Sequence, residues 1–453
     1  MLFTTEWLTT IFTDYKGAAS DSIGIHEVAT DSRKKTDRSL FVPISGDKFD
    51  GHDFMKQAFD RGAVAALWDR EIPLPDFLPA DFPVFLVEDT LKALQELAGF
   101  YRDKVNPVVI GITGSNGKTT TKDIVAAVVK TTFNTHYTEG NFNNHIGMPL
   151  TILSMPRNTD VLVVEMGMNH AGEIETLSSI ARPEIAIITN IGESHIEYLG
   201  SRKGIAQAKL EIVKGMKEEG PLIIDGDEAL LAKMHDHGNV ITCGFDANND
   251  LVVEDVNISH NQTQFELSNG FKYTVPLLGK HHALNATYAI AVAKCLNISK
   301  ENVVRALASL EMTSMRFELM KGRNDVSVIN DAYNASPTSM KAAIDVVKQM
   351  DGFKNKVLVL GDIFELGDES KAFHQSVAES IDDSISAVFT FGNDAKEISA
   401  IVGEEYPGIN CSHFATEEDL LNALQNYISE DTLFLFKASR AMHFELFVEK
   451  VMD

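Results

Sequence analysis

The 453-residue sequence has few cysteines and no long apolar run. Cys243, Cys295 and Cys411 are far apart and form no C-x-x-C pair, which argues against a disulfide framework and against a zinc ribbon. No apolar run reaches the roughly twenty residues that a membrane-spanning helix needs. The first residues lack a basic segment, an apolar segment and a small-residue cleavage site, so we expect no export signal and a cytoplasmic location.

Basic residues are also scarce relative to acidic ones. The chain has 40 Lys+Arg against 65 Asp+Glu, which gives a formal net charge of −25. Because the electrostatic field of this net negative charge repels phosphate groups, we expect no nucleic-acid partner and no anionic-membrane partner. A small anionic substrate is still allowed, provided that helix N-termini, single basic side chains or Mg²⁺ hold it locally. We expect the chain to act as a monomer.

The most informative segment is 108–122, where a buried apolar strand leads into a glycine-spaced Lys-Thr turn and then into a helix. Glycines let main-chain N–H groups converge on a phosphate, the helix directs its positive end at the anion, and Lys118 adds a charge. Thr119 can place a hydroxyl on Mg²⁺. The spacing departs from G-x-x-x-x-G-K-[ST], because Ile112 stands six residues before Lys118. The candidate nucleotide-binding residues of this turn are Thr113, Gly114, Ser115, Asn116, Gly117, Lys118, Thr119 and Thr120.

Apolar strands alternate with helical patterns along the whole chain, which predicts an α/β fold with three domains. Residues 1–105 form a small α/β unit with strands near Leu40, Val64 and Val84 and a helix near 90–101. Residues 106–313 form a doubly wound domain that carries the phosphate loop. Residues 314–453 repeat the alternation as a Rossmann-like domain without such a loop, with strands at 326–329, 357–360, 387–391 and 433–436.

Polar residues follow the predicted central strands, where ligands of open α/β sheets bind. Glu165 ends the strand that begins at Val161 and is either a Mg²⁺ ligand or a solvated acid of the next turn. His195 follows the strand that begins at Ile185 and is either a metal ligand or a polar loop residue.

Lys209 interrupts an apolar stripe. In the segment 204–216, helical spacing places it with Ile205, Ile212, Val213 and Met216. Most lysines in such a position extend to water. If Lys209 is buried instead, its pKa falls, and the neutral amine can take up CO₂ to form a carbamate that binds Mg²⁺.

The segment 138–149 is rich in amide and imidazole side chains, which suit an oxygen-rich ligand. Turn formation explains isolated asparagines equally well. The candidate substrate-binding residues of this segment are Asn141, Asn143, Asn144 and His145.

The phosphate loop, Glu165, His195 and Lys209 stand in the order found in the Mur ligases, ATP-dependent enzymes that form amide bonds in peptidoglycan precursor synthesis. The resemblance covers essentially the whole chain, and segment 278–289 matches the family's G-x-H-x-x-x-N-x-x-A element. Segments 140–149, 329–339, 360–367 and 436–440 resemble the branch that adds D-alanyl-D-alanine to a UDP-N-acetylmuramoyl tripeptide. The D-N-P-[RA] signature of the branch that adds the third amino acid is absent.

The resemblance also implies roles for residues that the pattern alone leaves unassigned. Segments 30–34, 40–46 and 50–54 resemble the family's UDP-binding unit, with Ser32, Arg33, Ser45 and Gly46 as the implied contacts. Asn285 is implied on the adenine side, and Arg316 and Asp331 are implied to close over ATP. Tyr333, Asn334, Ser336 and Arg440 are candidates for the dipeptide pocket. His281 and His282 fit an ordinary helix start, and no catalytic role is inferred for them.

The implied cofactors are ATP and two Mg²⁺ ions. Thr119 and Glu165 are the implied ligands of one ion, and His195 and a carbamoylated Lys209 help to organise the other. The implied partners are UDP-MurNAc-tripeptide and D-alanyl-D-alanine. The open alternatives are another amide ligase of the same fold, of the tripeptide-synthetase or folylpolyglutamate type, and a non-catalytic nucleotide-binding partner subunit.

Overall fold

The computed structural model describes residues 1–46, 48–235, 238–259, 262–310 and 315–453. In these residues the chain forms three α/β units, each built on a mainly parallel sheet, and the predicted fold class is confirmed. The domain boundary predicted between residues 313 and 314 lies outside the described residues. No helix in the described part of the chain is long and apolar enough to cross a membrane.

The N-terminal unit has the sheet order β2-β7-β6-β5-β4, in which β2 is antiparallel to β7 and the other neighbours are parallel. The helix predicted near 90–101 is four residues longer; Asp89 caps its first turn, and Asn106 ends it with a left-handed backbone (φ 54°). The strands are β1 (Phe3–Thr4), β2 (Tyr15–Lys16), β3 (Gly24–Ile25), β4 (Glu27–Ala29), β5 (Ser39–Phe41), β6 (Ala63–Asp69) and β7 (Val84–Val87), and the helices are α1 (Thr5–Thr9), α2 (Met55–Asp60) and α3 (Thr90–Val105).

The central sheet has the order β16-β15-β14-β13-β12-β11-β8-β10-β9, parallel from β9 to β14. The antiparallel β14–β16 extension was not predicted, although Asn269-Gly270 between β15 and β16 is a hairpin signal. The strands are β8 (Val108–Thr113), β9 (Thr135–Tyr137), β10 (Val161–Glu165), β11 (Ile185–Ile188), β12 (Leu222–Asp225), β13 (Val240–Gly244), β14 (Leu251–Ser259), β15 (Gln262–Leu267) and β16 (Phe271–Val275). The helices are α4 (Lys118–Lys130), α5 (Gly147–Leu153), α6 (Glu173–Ala181), α7 (Ile196–Leu199), α8 (Arg202–Leu210), α9 (Lys280–Cys295) and α10 (Lys300–Ala308).

The C-terminal sheet has the order β17-β18-β22-β19-β20-β21, with only the β17–β18 pair antiparallel in the described residues. The predicted doubly wound pattern is therefore confirmed. The strands are β17 (Glu318–Lys321), β18 (Ser327–Asn330), β19 (Asn355–Gly361), β20 (Ala387–Phe391), β21 (Asn410–Phe414) and β22 (Thr432–Lys437), and the helices are α11 (Pro337–Gln349), α12 (Ser370–Val377), α13 (Lys396–Glu405), α14 (Glu417–Gln425) and α15 (Glu445–Met452).

The central strands are buried on both faces, as their apolar runs predict. In β8, Val109 packs on the side shared with the N-terminal unit, and Ile110 and Ile112 pack on the other side. Each fully buried aliphatic side chain of this kind contributes about 1.5–3 kcal/mol. The Tyr101 hydroxyl on α3 donates to the main-chain oxygen of Met155 (2.8 Å), and this buried hydrogen bond joins the N-terminal unit to the central one.

The segment 204–216 is not one helix, which corrects the spacing-based prediction. α8 is followed by the 3-10 helix Glu211–Lys214, and the carboxylate of Glu211 accepts a hydrogen bond from the main-chain N–H of Gly172 at 2.8 Å. Because the chain tightens there, Val213 is 36% exposed and does not extend the buried stripe.

Candidate active site

A cavity of about 480 Å³ lies where the carboxyl ends of the central strands face the C-terminal unit. Residues that follow β8, β10 and β11 line one side of it, and residues that flank β17 and β18 line the other. The predicted site residues in its lining are Ser115, Asn116, Gly117, Lys118, Thr119, Thr120, Asn141, Asn143, Asn144, His145, Glu165, His195, Asn285, Arg316, Asp331, Tyr333 and Asn334.

The phosphate loop depends on two glycines with positive φ, Gly114 (φ +148°) and Gly117 (φ +76°). A Cβ on Gly114 would lie 1.9 Å from the Thr189 hydroxyl oxygen. That hydroxyl donates to the main-chain oxygen of Asn116 at 2.6 Å and fixes the turn from the neighbouring strand. α4 begins at Lys118, so the loop ends at a helix N-terminus, as a phosphate site requires.

Lys118 is folded back onto this loop. Its Nζ donates to the main-chain oxygens of Gly114 (2.8 Å) and Ser115 (3.2 Å). Burial lowers the pKa of Lys118; Glu165 opposes this shift and Arg316 adds to it. An incoming phosphate would supply the negative charge that favours the protonated amine.

Thr119, Glu165 and Asn143 form a hydrogen-bonded group beside the loop. The Thr119 hydroxyl donates to Glu165 Oε2 at 2.8 Å, and the Asn143 amide donates to Glu165 Oε1 at 2.7 Å. Glu165 is 1% exposed. Hydroxyl and carboxylate oxygens are donors that Mg²⁺ prefers, and Mg²⁺ usually takes one or two protein ligands besides phosphate and water oxygens. The group therefore fits Mg²⁺ together with a nucleotide, although no cluster of three His, Cys, Asp or Glu side chains suited to a metal occurs among the described residues.

Lys209 is buried in α8, with 1% of its surface exposed. Its Nζ makes no hydrogen bond to any described residue. Burial lowers its pKa well below the usual value, the charge on Lys118 lowers it further, and Glu165 opposes the shift. Both effects favour the neutral amine, which is the form that reacts with CO₂.

His195 lines the cavity and precedes α7 with a left-handed backbone (φ 65°). Its Nδ1 lies 2.5 Å from Oε2 of Glu365, which belongs to the C-terminal unit. The neighbouring His195 ring lowers the pKa of Glu365. The C-terminal unit thus contacts a predicted metal-site residue directly.

Within residues 141–145, the side chains of Asn143 and Asn144 have different roles. Asn143 reaches Glu165, whereas the Asn144 side chain accepts hydrogen bonds from the main-chain N–H groups of Ile146 and Gly147. The turn interpretation is therefore the correct one for the Asn144 oxygen. The main-chain oxygen of His145 accepts a hydrogen bond from Gln95 of the N-terminal unit at 2.9 Å.

The C-terminal side of the cavity carries Arg316, Asp331 and Tyr333. The Arg316 guanidinium stacks 4.0 Å from the centre of the Tyr333 ring. Asp331 accepts a hydrogen bond from the main-chain N–H of Phe317 and from Lys437 Nζ at 2.6 Å. Lys437 is 2% exposed and was missed, although a lysine that ends an apolar strand run is a recognisable signal.

The two units also meet at the phosphate loop. Ser336 caps α11, and its hydroxyl donates to Asn116 Oδ1 at 3.0 Å. Thr338 donates to Glu193 Oε2 at 2.7 Å. The C-terminal unit therefore contacts both the predicted phosphate loop and the segment that carries His195.

His281 and His282 were also missed as cavity residues. Both line the cavity, and neither ring nitrogen of His282 has a hydrogen-bond partner within the described residues. Burial lowers the pKa of His281 to about 4 and that of His282 well below its usual value. Both rings are therefore neutral near pH 7.

Several predicted residues stand outside this cavity. Thr113 ends β8 and Gly114 follows it in the phosphate loop, but neither is part of the cavity lining. Arg440 pairs with Glu445 at 2.9 Å. The residues implied for UDP are in the N-terminal unit: the buried Ser32 donates to Gln57, and Ser45 donates to Asp50. Predicted residues that are not among the described cavity lining are Ser32, Arg33, Ser45, Gly46, Thr113, Gly114, Lys209, Ser336 and Arg440.

Comparison with known families covers each of the three units. The Mur ligase family catalytic domain matches residues 24–102, the Mur ligase middle domain matches 112–293, and the Mur ligase glutamate ligase domain matches 315–440.

Similarity to individual proteins extends over nearly the full length. The chain is 48% identical to the UDP-N-acetylmuramoyl-tripeptide–D-alanyl-D-alanine ligase of Bacillus subtilis over 432 residues, which cover 95% of this chain and 93% of that one. The structure of MurF from Acinetobacter baumannii matches with a TM-score of 0.87 at 30% identity, covering 99% of this chain and 98% of that chain. MurF ligase from Thermotoga maritima in complex with ADP matches with a TM-score of 0.82 at 29% identity, covering 94% and 97%. Because all three family domains match and the Bacillus subtilis relative is similar over nearly the whole chain, the chain belongs to the Mur ligase family.

Proposed function

We propose that the chain is an ATP-dependent ligase that joins D-alanyl-D-alanine to UDP-N-acetylmuramoyl-tripeptide, giving UDP-MurNAc-pentapeptide, ADP and phosphate. The name of the Bacillus subtilis relative, shared over 95% of this chain, supports the assignment. The observation that carries it is the cavity itself, because a phosphate loop on one unit faces an arginine and an aspartate on another. That arrangement fits an enzyme that activates one substrate with ATP and then shields the product of activation.

ATP would be held from both sides of the cavity. The main-chain N–H groups at 114–117, the start of α4 and Lys118 would take the β- and γ-phosphates. Asn285, on α9 beside Gly117, would contact the adenine side. Arg316 and Asp331 would close over the nucleotide from the C-terminal unit, and the buried Lys437 would hold the Asp331 carboxylate in place.

We infer two Mg²⁺ ions, of which the hydrogen-bonded group of Thr119 and Glu165 supports the first. Thr119 and Glu165 would hold one, and His195 and a carbamoylated Lys209 would help to hold the other. When bound, these ions neutralise charge that builds up on the transferring phosphoryl group. The depressed pKa of Lys209 supports the carbamate, because it keeps the amine neutral and nucleophilic.

The reaction would proceed in two steps. The carboxylate at the peptide end of the tripeptide attacks the γ-phosphate of ATP, which forms an acyl phosphate and releases ADP. The free amine of D-alanyl-D-alanine then attacks the acyl carbon, and the tetrahedral intermediate expels phosphate to leave an amide. Lys118 and the α4 N-terminus would let two anions approach each other. The C-terminal unit would exclude water, which otherwise hydrolyses the acyl phosphate.

We assign the substrates to the three domains. Residues 1–105 would bind the UDP part through Ser32, Arg33, Ser45 and Gly46. Residues 106–313 would bind ATP and, through Asn141, Asn143, Asn144 and His145, the peptide end. Residues 314–453 would receive the dipeptide, with Tyr333, Asn334, Ser336 and Arg440 as candidate contacts.

Phosphate release measured with purified protein tests the assignment. We expect release only when ATP, Mg²⁺, D-alanyl-D-alanine and a UDP-MurNAc-tripeptide are all present, with mass spectrometry showing the pentapeptide product. Parallel reactions with lysine-containing and diaminopimelate-containing tripeptides identify the third residue. Release with a folate and glutamate instead would favour the folylpolyglutamate alternative, and nucleotide binding with no ligation would favour the partner-subunit alternative.

A further inference from the structure

We propose that Glu365 is a positioning residue for His195, so that docking of the C-terminal unit completes the second cation site of the central unit. This inference rests on the proposed function, because it concerns the cation that the ligation would use.

The contact is direct. Oε2 of Glu365 lies 2.5 Å from Nδ1 of His195, and the side chains are only 35% and 18% exposed. At that distance the carboxylate is in direct contact with Nδ1, and its negative charge favours the tautomer that carries the proton on that nitrogen. A partly shielded contact of this kind holds the ring more firmly than the same contact in open water does.

The backbone supports the same contact. Glu365 has a left-handed conformation (φ 63°), which is uncommon for a residue with a Cβ and persists where the surroundings demand it. Its main-chain oxygen accepts a hydrogen bond from the N–H of Glu197 at 3.2 Å. Gly367 approaches the same residue, since a Cβ placed on it would lie 3.5 Å from Glu197 Cα. Segment 365–367 is therefore seated against the start of α7.

The chemistry follows from the two ring nitrogens of histidine. When Nδ1 donates to a carboxylate, the neutral ring has its lone pair on Nε2, which is the form that binds a metal ion. Carboxylate partners of this kind are usual behind metal-binding histidines, and their loss typically weakens metal binding about 10–100-fold. Here the carboxylate comes from a different unit than the histidine. A C-terminal unit that is not docked would leave His195 free to rotate and to change tautomer.

The matched variants are Glu365→Ala, Glu365→Gln and Glu197→Gln, with His195→Ala as the reference for complete loss. The glutamine at 365 keeps an oxygen that can accept from Nδ1–H but loses the charge. The substitution at 197 removes a neighbouring charge and leaves the main-chain contact intact. Thermal unfolding of all four full-length variants checks that each is folded, and we expect a cooperative transition for each.

Two readouts that need no turnover test the inference. In ¹⁵N histidine spectra of the metal-free protein, we expect the Nδ1–H tautomer of His195 in the unsubstituted chain, in Glu197→Gln and in Glu365→Gln, and a mixture in Glu365→Ala. By electron paramagnetic resonance with Mn²⁺ and a non-hydrolysable ATP analogue, we expect Glu365→Ala to weaken the second Mn²⁺ about 10–100-fold. Glu365→Gln should lose less, and Glu197→Gln should match the unsubstituted chain.

The outcomes separate this inference from the proposed function. An unchanged tautomer and unchanged Mn²⁺ affinity in Glu365→Ala would overturn the positioning role, as would unchanged Mn²⁺ affinity in His195→Ala. Either result leaves the ligation assay untouched. Failure of the unsubstituted protein to form pentapeptide would instead remove the proposed function, and the Mn²⁺ titration does not depend on it.

Discussion

Substitution of Lys209 provides the sharpest test of the proposed carbamate. Lys209→Ala and Lys209→Met both remove the amine, but they leave different amounts of space. The alanine opens a cavity next to Glu165 and Lys118, whereas the methionine fills most of the volume that the lysine side chain occupied. We expect both variants to lose ligation and only the alanine variant to be rescued by short-chain carboxylates such as acetate or propionate.

The expected magnitudes differ for stability and for activity. Lys209 is 1% exposed, so Lys209→Ala deletes about three buried methylene groups at about 0.8 kcal/mol each, or about 2–3 kcal/mol of stability. Lys209→Met conserves volume and should cost less than about 1.5 kcal/mol. Loss of one negative charge about 4 Å from a cation is worth about 4 kcal/mol at an effective dielectric constant of 20, which corresponds to a rate about a thousandfold lower.

The assay combines phosphate release with direct detection of the modification. Protein equilibrated with ¹³C-bicarbonate should show a carbamate signal by ¹³C NMR, and this signal should be absent from both variants. The pKa of Lys209 is lowered by burial and by the charge on Lys118, which favours the neutral amine that reacts with CO₂. No ¹³C signal in the unsubstituted protein, together with equal responses of the two variants to acetate, would refute the carbamate.

Three further substitutions test the loop and the sheet. Lys118→Ala should abolish ADP formation, because it removes the mobile charge from the phosphate loop; ADP formation at the normal rate would contradict the assigned site. Gly114→Ala should weaken nucleotide binding at least about 30-fold in a calorimetric titration, because the new Cβ would lie 1.9 Å from the Thr189 hydroxyl and overpacking typically costs 1–3 kcal/mol besides the backbone strain. Asp225→Asn should raise the melting temperature at pH 8 but not at pH 4. Burial raises the pKa of Asp225 to about 7, so ionisation of this carboxyl group opposes folding. The destabilisation grows from about pH 4 to pH 7 and is complete above that. The effect has an upper limit of about 4 kcal/mol, and equal stabilisation by Asp246→Asn, at an exposed position, would contradict this explanation.

Much of the fold could be predicted because the strands are short, apolar and bounded by turn residues. β8, β10 and β11 lie at the predicted positions, since buried parallel strands leave continuous apolar runs in the sequence. The break after α8 could not be predicted in this way. It depends on the Glu211 carboxylate, which binds a main-chain N–H group 39 residues earlier in the chain, and local spacing carries no information about such a partner.

The residues of the candidate site also fall into those that the sequence predicts and those that it does not. Lys118 and Thr119 could be predicted because they belong to a short motif of neighbouring residues. Glu165 and His195 could be predicted because they lie at or after the carboxyl ends of parallel strands, which meet at one edge of the sheet. Lys437 and His282 were missed because their positions matter only after the C-terminal unit and α9 have packed against the cavity. A lysine after an apolar strand and a histidine near a helix start look ordinary until the opposite wall is known.

The contacts that cross between units indicate how the site would be assembled. Ser336 reaches Asn116 of the phosphate loop, and Glu365 reaches His195. Both contacts reach central-unit residues that lie near the proposed phosphate and cation positions. Docking of the C-terminal unit would therefore fix the side chains at both positions at the same time. An acyl phosphate needs protection from water as soon as it forms. If the site is complete only when the C-terminal unit is docked, the acyl phosphate forms only after water has been excluded.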